Sequence, residues 1–342
     1  MSDAILSVTG LKKYFESRKG FFGRSRRRIM AVNDVSFDIR RGEVFGLVGE
    51  SGCGKSTLGL TVLRAYQPTA GRILFRPEGG REYDLATLSS RELKPLRRQM
   101  QIVFQDPFSA LSPRMTVRDI IGEAMIIHKL ASGRNLERRV AELMEAVGLS
   151  PSTMNRYPHA FSGGQRQRIG IARALVMNPS FIVADEAVSA LDVSVQAQIL
   201  ELLLDLKDRF RLTYLFISHN LSVVRYICTT VGVMYVGKMV ERAPTREIFT
   251  GPLHPYTEAL TAAIPIPDPA RKSEMAGLPG EVADPANPPT GCFFHPRCPY
   301  AREICSREEP PLRTVRRTAD GGAHDAACHF SETLKLRAVL GK

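Results

Sequence analysis

Short apolar runs alternate with longer stretches of helical spacing along most of this 342-residue chain. Val44–Val48, Gln101–Phe104, Phe181–Ala184 and Tyr214–Ser218 are apolar-rich and of strand length, and they stop at Gly49, Gln105, Asp185 and His219. Runs with no polar face suit a parallel sheet covered by helices on both sides. Between them, Asn135–Val147 and Val193–Phe210 repeat apolar residues every three or four positions, as do Ile169, Ala172 and Leu175. The alternation predicts an α/β fold with helices packed on the sheet, and a helix-rich stretch over about 106–165. From 251 to 290 the pattern breaks: IPIPDP and DPANPP predict an extended proline-rich linker, because proline cannot donate to a helix or sheet. A cysteine-containing tail, 291–342, follows.

The polar residues that end the runs carry the chemistry. GESGCGKST at 49–57 follows a predicted strand and has the form G-x-x-x-x-G-K-S. A triphosphate needs many donors around a compact anion, and glycines let successive backbone N–H groups turn inward above a helix N-terminus. Gly49, Ser51, Gly52, Gly54, Lys55, Ser56 and Thr57 form the candidate nucleotide-binding set. Lys55 is expected on the β- and γ-phosphates, Ser56 on Mg²⁺ and Thr57 on the α-phosphate. Cys53 reads as a spacer whose thiol, if exposed, makes the site oxidisable. Asp185 is placed to hold the Mg²⁺ hydration shell, and Glu186 to take a proton from the attacking water. FSGGQ at 161–165 opens a helical pattern, a second anion-binding helix start.

A net charge of +12 favours an anionic partner, whether nucleic acid, lipid headgroups or acidic loops. Part of the charge is local: Lys12, Lys13, Arg18, Lys19, Arg24, Arg26, Arg27 and Arg28 predict a basic insertion around 16–30, either a solvated loop or a contact with the inner leaflet. No apolar run reaches transmembrane length and MSDAILSVTG does not read as a signal peptide, so the chain is expected to stay at the cytoplasmic face and any translocation path to come from other polypeptides. In the tail, Cys292, Cys298, Cys305 and Cys328 follow C-x5-C-x6-C-x22-C, without the tight pairs of most zinc sites. Chemistry alone leaves zinc, an iron–sulfur cluster and no metal open, with His295 and His329 as substitute ligands. Cys228 reads as core.

Taken in order, these segments make residues 1–250 resemble the nucleotide-binding subunit of an ATP-binding cassette (ABC) transporter, a P-loop NTPase with a helical subdomain. The resemblance implies ATP and Mg²⁺ as cofactors and two subunits facing head to tail, with Ser162, Gly163, Gly164 and Gln165 on the partner's nucleotide. Gln105 would touch Mg²⁺ and the attacking water, Asp192 would cross the dimer interface, His219 would hold the γ-phosphate, and Phe15, with Tyr14 as the alternative, would stack on adenine. Two positions depart from the family pattern: Ala187 stands in place of Pro and Asn220 in place of Asp. LHPYTEAL, GCFFHPRCP and ACHF resemble the C-terminal extension of dipeptide and oligopeptide importer ATPases, a group that includes nickel and glutathione importers, and the basic insertion around 16–30 and YPHAFSGGQRQRIGIARAL resemble their F-type member. That implies a D-type ATPase partner, two membrane permeases, an extracytoplasmic binding protein and a [4Fe–4S] cluster on the four tail cysteines, with zinc as the alternative. A soluble ABC ATPase acting on nucleic acid or ribosomes is the competing expectation. It fits the charge, but such proteins carry paired cassettes or a long coiled coil that this chain lacks. A purely regulatory cassette is at odds with Lys55, Glu186 and His219.

Overall fold

A computed structural model describes residues 3–19, 25–106, 109–264, 280–318 and 321–338. Two long strands, β1 (Ala4–Lys19) and β2 (Ser25–Arg40), lead into the fully buried β3 (Val44–Val48) and helix α1 (Lys55–Val62). Next come β4 (Ala70–Phe75), β5 (Tyr83–Asp84), α2 (Ser90–Leu96) and β6 (Met100–Val103). Helices α3 (Val117–Ile127), α4 (Gly133–Ala146) and α5 (Gly163–Leu175) precede β7 (Phe181–Asp185), α6 (Val193–Phe210), β8 (Thr213–Ile217) and α7 (Leu221–Ile227). The chain closes with β9 (Thr230–Tyr235), β10 (Lys238–Pro244), α8 (Thr245–Thr250), α9 (Pro255–Ala262), α10 (Glu303–Arg307), β11 (Arg313–Arg317) and β12 (Ala323–Ala326). Among the described residues no helix is long and apolar enough to cross a membrane. The predicted strands and helices appear within two residues of their expected bounds. β4 and β5 pair antiparallel, with Leu74 opposite Asp84.

Two compact units emerge. The first contains the described residues of Met1–Leu6, Ile39–Glu43 and Leu74–Ile217. Its parallel ladder sets Met100 of β6 opposite Phe181 and Phe181 of β7 opposite Thr213 of β8. All ten residues of β7 and β8 are buried, as strands covered on both faces must be. The helices α3 to α5 belong to the same unit. In α4, Leu136, Val140, Leu143 and Met144 form the buried stripe, spaced three and four apart. Gly122 of α3 lies so near Leu136 that a Cβ there would stand 2.9 Å from a Leu136 methyl, so the absence of a side chain sets how closely these helices approach.

The second unit contains the described residues of Ser7–Asp38, Val44–Ile73 and Ser218–Lys342. β3 runs parallel to β9, with Phe45 opposite Thr230. β9 turns into antiparallel β10 through Val236 and Gly237, both at positive φ. β12 then pairs with β10 and β11 with β12, both antiparallel, so the tail extends this sheet. A buried carboxylate fastens the addition: Glu241 of β10 accepts from the N–H groups of Leu253 and His254 at 2.8 and 2.9 Å and lies 2.7 Å from His324 Nε2 of β12.

Two expectations change. The predicted basic loop is largely strand, since β1 reaches Lys19 and β2 begins at Ser25; Arg24 lies outside the described residues. Its charge is partly absorbed: Arg28 lies 4.0 Å from the Tyr14 ring centroid and Arg27 pairs with Asp284. The predicted linker is not extended at its start, because Pro255 at the first helical position and the His254 side chain, accepting from Tyr256 N–H, nucleate α9. Most of IPIPDP lies outside the described residues, whereas Pro285 of DPANPP accepts a hydrogen bond from Met30 N–H at 2.9 Å.

Candidate nucleotide site

The phosphate loop of the second unit takes the shape its glycines permit. Gly49, Gly52 and Gly54 adopt φ of +151°, +80° and +104°. A Cβ on Gly49 would stand 2.2 Å from Met234 O, and one on Gly54 2.0 Å from Ala31 O, so both positions exclude any other residue. Gly54 ends in the left-handed region and α1 starts at Lys55. The Lys55 ammonium, 5% exposed, donates to the carbonyls of Gly49 and Glu50 at 2.7 and 2.9 Å. Ser51, Gly52 and Ser56 are exposed and Thr57 is half-buried at the start of α1. Cys53, read as a spacer, is 1% exposed, and burial pushes its pKa up despite the neighbouring Lys55, so the condition for an oxidisable site is not met.

Sequence reasoning missed what holds this loop from outside. Glu50 N–H donates to the Tyr256 hydroxyl at 2.8 Å, and Arg297 donates to both Glu50 carboxylate oxygens at 2.8 and 3.0 Å. Both partners lie beyond position 250, and the only local signal was an acidic residue in a loop built for anions.

In the first unit, β7 delivers Asp185, 9% exposed, at its last position, opposite Ile217. Glu186 follows at φ +47°, with its N–H on Ile217 O at 2.9 Å and its carboxylate accepting from Gln105 Nε2 at 2.8 Å. A non-glycine residue at positive φ is uncommon and points to constraint at a functional position. Thus the structure brings together Gln105 and Glu186, two residues 81 positions apart. Ser162 caps α5 in a reciprocal capping box: its hydroxyl accepts from Gln165 N–H at 3.4 Å and Gln165 Oε1 accepts from Ser162 N–H at 3.0 Å. Gly163 opens that helix, and a Cβ on Gly164 would stand 2.6 Å from a Val195 methyl. Gln167, one turn on, donates to Phe104 O at 3.4 Å, next to Gln105. Asp192 is the exposed N-cap of α6.

Residues 32–189 match the family described as ABC transporter, and residues 240–305 the oligopeptide/dipeptide transporter C-terminal region. The oligopeptide transport ATP-binding protein AppF of Bacillus subtilis (strain 168) is 50% identical over 331 residues, 96% of this chain and 98% of that protein. The chain belongs to the ABC transporter family of ATP-binding subunits. Two solved structures share its fold: the dimeric, post-hydrolysis ATP-binding cassette MJ0796 bound to ADP and Pi, and cbiO1 of Clostridium perfringens, part of the cbiONQ transporter complex. Each is 27% identical, with TM-scores of 0.61 and 0.60 over 70% and 72% of this chain and 99% and 91% of theirs.

Of the remaining cassette residues, Ala187 lies in the first unit and Phe15, Tyr14, His219, Asn220 and Cys228 in the second. His219 is exposed just past β8, and Asn220 caps α7 by accepting from the N–H groups of Ser222 and Val223 at 3.0 and 3.4 Å. Asparagine fills the capping role open to the family's aspartate, without its charge. Ala187, the other departure, is 1% exposed and packed in the core. Phe15 meets Tyr66 edge-on at 5.4 Å with the Lys13 ammonium 4.6 Å from its ring centroid, whereas the Tyr14 hydroxyl is tied to Asn33 at 2.7 Å. Cys228, at the end of α7, is buried as expected.

In the C-terminal region, Cys292, Cys298, Cys305 and Cys328 line one small cavity of about 20 Å³, together with His295 and His329. Burial first, and the neighbouring thiols second, push Cys292 up to about 12 and Cys298 to about 11, and burial raises Cys328. Among the described residues no three His, Cys, Asp or Glu side chains meet at the spacing one metal ion needs. The thiols therefore share a space without converging on a single point.

Proposed function

We propose that this ATPase subunit drives import of di- or oligopeptides, or a related small solute, through a transporter in the bacterial cytoplasmic membrane. The observation that carries the reading is the match to the oligopeptide/dipeptide transporter C-terminal region behind a cassette with its phosphate loop, signature segment and Asp185–Glu186 pair in order. Residues 1–250 form the nucleotide-binding domain, about 106–165 its helical signature part, and 291–342 the extension behind the 251–290 linker. Lys55, Gly49, Ser51, Gly52, Gly54 and Thr57 hold the phosphates, and Phe15 stacks on adenine. The hydroxyl of Ser56, the amide of Gln105 and the carboxylate of Asp185 offer the oxygen donors that a hard cation prefers. Mg²⁺, when bound, would supply charge neutralisation to the phosphates.

Glu186, held by Gln105, takes the proton of the attacking water, and His219 positions the γ-phosphate. Ser162, Gly163, Gly164 and Gln165 act on the nucleotide of a D-type ATPase partner, and Asp192 crosses to it. Catalysis here is positioning and charge stabilisation rather than covalent chemistry. Two permeases provide the path, a binding protein the substrate, and the chain sits at the cytoplasmic face. The four tail cysteines hold an iron–sulfur cluster, a reading supported by their shared cavity.

The test is anaerobic purification of the tagged chain from detergent-extracted membranes, with its companions identified by mass spectrometry. Two multi-span permeases and a second ATPase are expected. DNA, RNA or ribosomal proteins in their place would overturn the importer reading.

A further inference from the structure

Glu50 is the only acidic residue between Gly49 and Gly54, inside a loop whose task is to surround a polyanion. All three of its polar groups are engaged. Its N–H goes to the Tyr256 hydroxyl, its carbonyl accepts from Lys55 Nζ, and its carboxylate takes both prongs of Arg297. The clamp is buried on the arginine side, where the Arg297 side chain is 5% exposed against 27% for Glu50. It is also rigidly backed. Tyr256 packs against Tyr235 and Phe294 with ring centroids at 4.8 and 5.3 Å, and Phe294 precedes the tight turn His295–Arg297 that carries the guanidinium.

The electrostatics give the pair a purpose. A free carboxylate at Glu50 would repel the phosphates and, attached to the same residue whose carbonyl already holds Lys55, would compete with them for the Lys55 ammonium. A planar guanidinium answers a carboxylate with two parallel bonds, fixing direction as well as charge. We propose that Arg297, from the C-terminal extension, is a positioning residue for ATP binding: by neutralising and orienting Glu50 it keeps Lys55 available to the phosphates. This rests on the nucleotide reading of the loop. It also assigns the extension a part in the ATP site itself.

The test measures binding of a fluorescent ATP analogue, with Mg²⁺, to the full chain. Arg297→Met is expected to weaken binding about tenfold, equivalent to about 1.4 kcal/mol, and Arg297→Met/Glu50→Gln to recover to within about threefold of the parent, since the offending charge is gone. Thermal unfolding of the same variants separates this from a merely structural role, which would lower the unfolding temperature and the affinity in step. Should Arg297→Met fail to fold, Arg297→Lys carries the test: it keeps the charge but loses the two-pronged geometry, and weakening of about threefold is expected. Parent-like affinity in the single variants, or a double variant no better than Arg297→Met, would overturn the proposal. Absence of binding by the parent chain would instead reject the nucleotide reading.

Discussion

Glu186 combines a positive φ with a hydrogen bond from Gln105, so its carboxylate is aimed by backbone and side chain together. Glutamine at this position keeps the shape and loses the basicity. Glu186→Gln is expected to bind ATP within a few-fold of the parent while phosphate release by the assembled transporter falls about 10²–10⁴-fold; unchanged release would remove Glu186 as the base. At this scale the sequence was most legible where function is local. The phosphate loop declares itself because glycine, lysine and serine must follow one another in fixed order. Glu186 was legible from the strand it ends, but the φ it adopts was not, and neither was the Gln105 contact across 81 residues. Arg297 was invisible, since nothing near it in the chain needs a cation.

At the scale of elements, legibility followed burial. β3, β7 and β8 are buried throughout and read as unbroken apolar runs. β11, Arg-Thr-Val-Arg-Arg, is almost wholly exposed and holds its place by pairing with β12, so its composition gave no strand signal. The junction that anchors β10, α9 and β12 makes a pH prediction. Burial pulls His254 down to about 4, with the nearby Glu241 carboxylate opposing in part. An unfolded histidine titrates near 6.5, so between about pH 6.5 and 4 the unfolded chain binds the extra proton and folding stability falls as pH falls, by up to about 3 kcal/mol. Above pH 6.5 both states are neutral and the effect vanishes. Thermal unfolding of the full chain followed from pH 7 to 4 should show this slope, and His254→Asn, which retains an acceptor for Tyr256 N–H, should flatten it. An equal slope in the variant would place the titration elsewhere.

For the whole molecule, the cysteines are the feature on which chain-level chemistry and fold meet. Four thiols spread over 37 positions line one cavity, a shared lining that spacing could not reveal. The proposed cluster predicts visible absorbance, iron and sulfide in the anaerobically purified chain and their loss in Cys292→Ser, while the phosphate loop still binds nucleotide. Full iron retention would dismiss Cys292 as a ligand. The reach of the C-terminal extension also bears on how the protein is made. Glu50 and Arg297 are 247 residues apart, so at about 5–20 residues per second the loop leaves the ribosome roughly 10–50 s before its counter-charge. A chain released before position 297 would carry every residue of the phosphate loop and lack the cation that disciplines it. Completion of the nucleotide site is thereby tied to translation past position 297, and products truncated before it are left with the weaker grip on ATP.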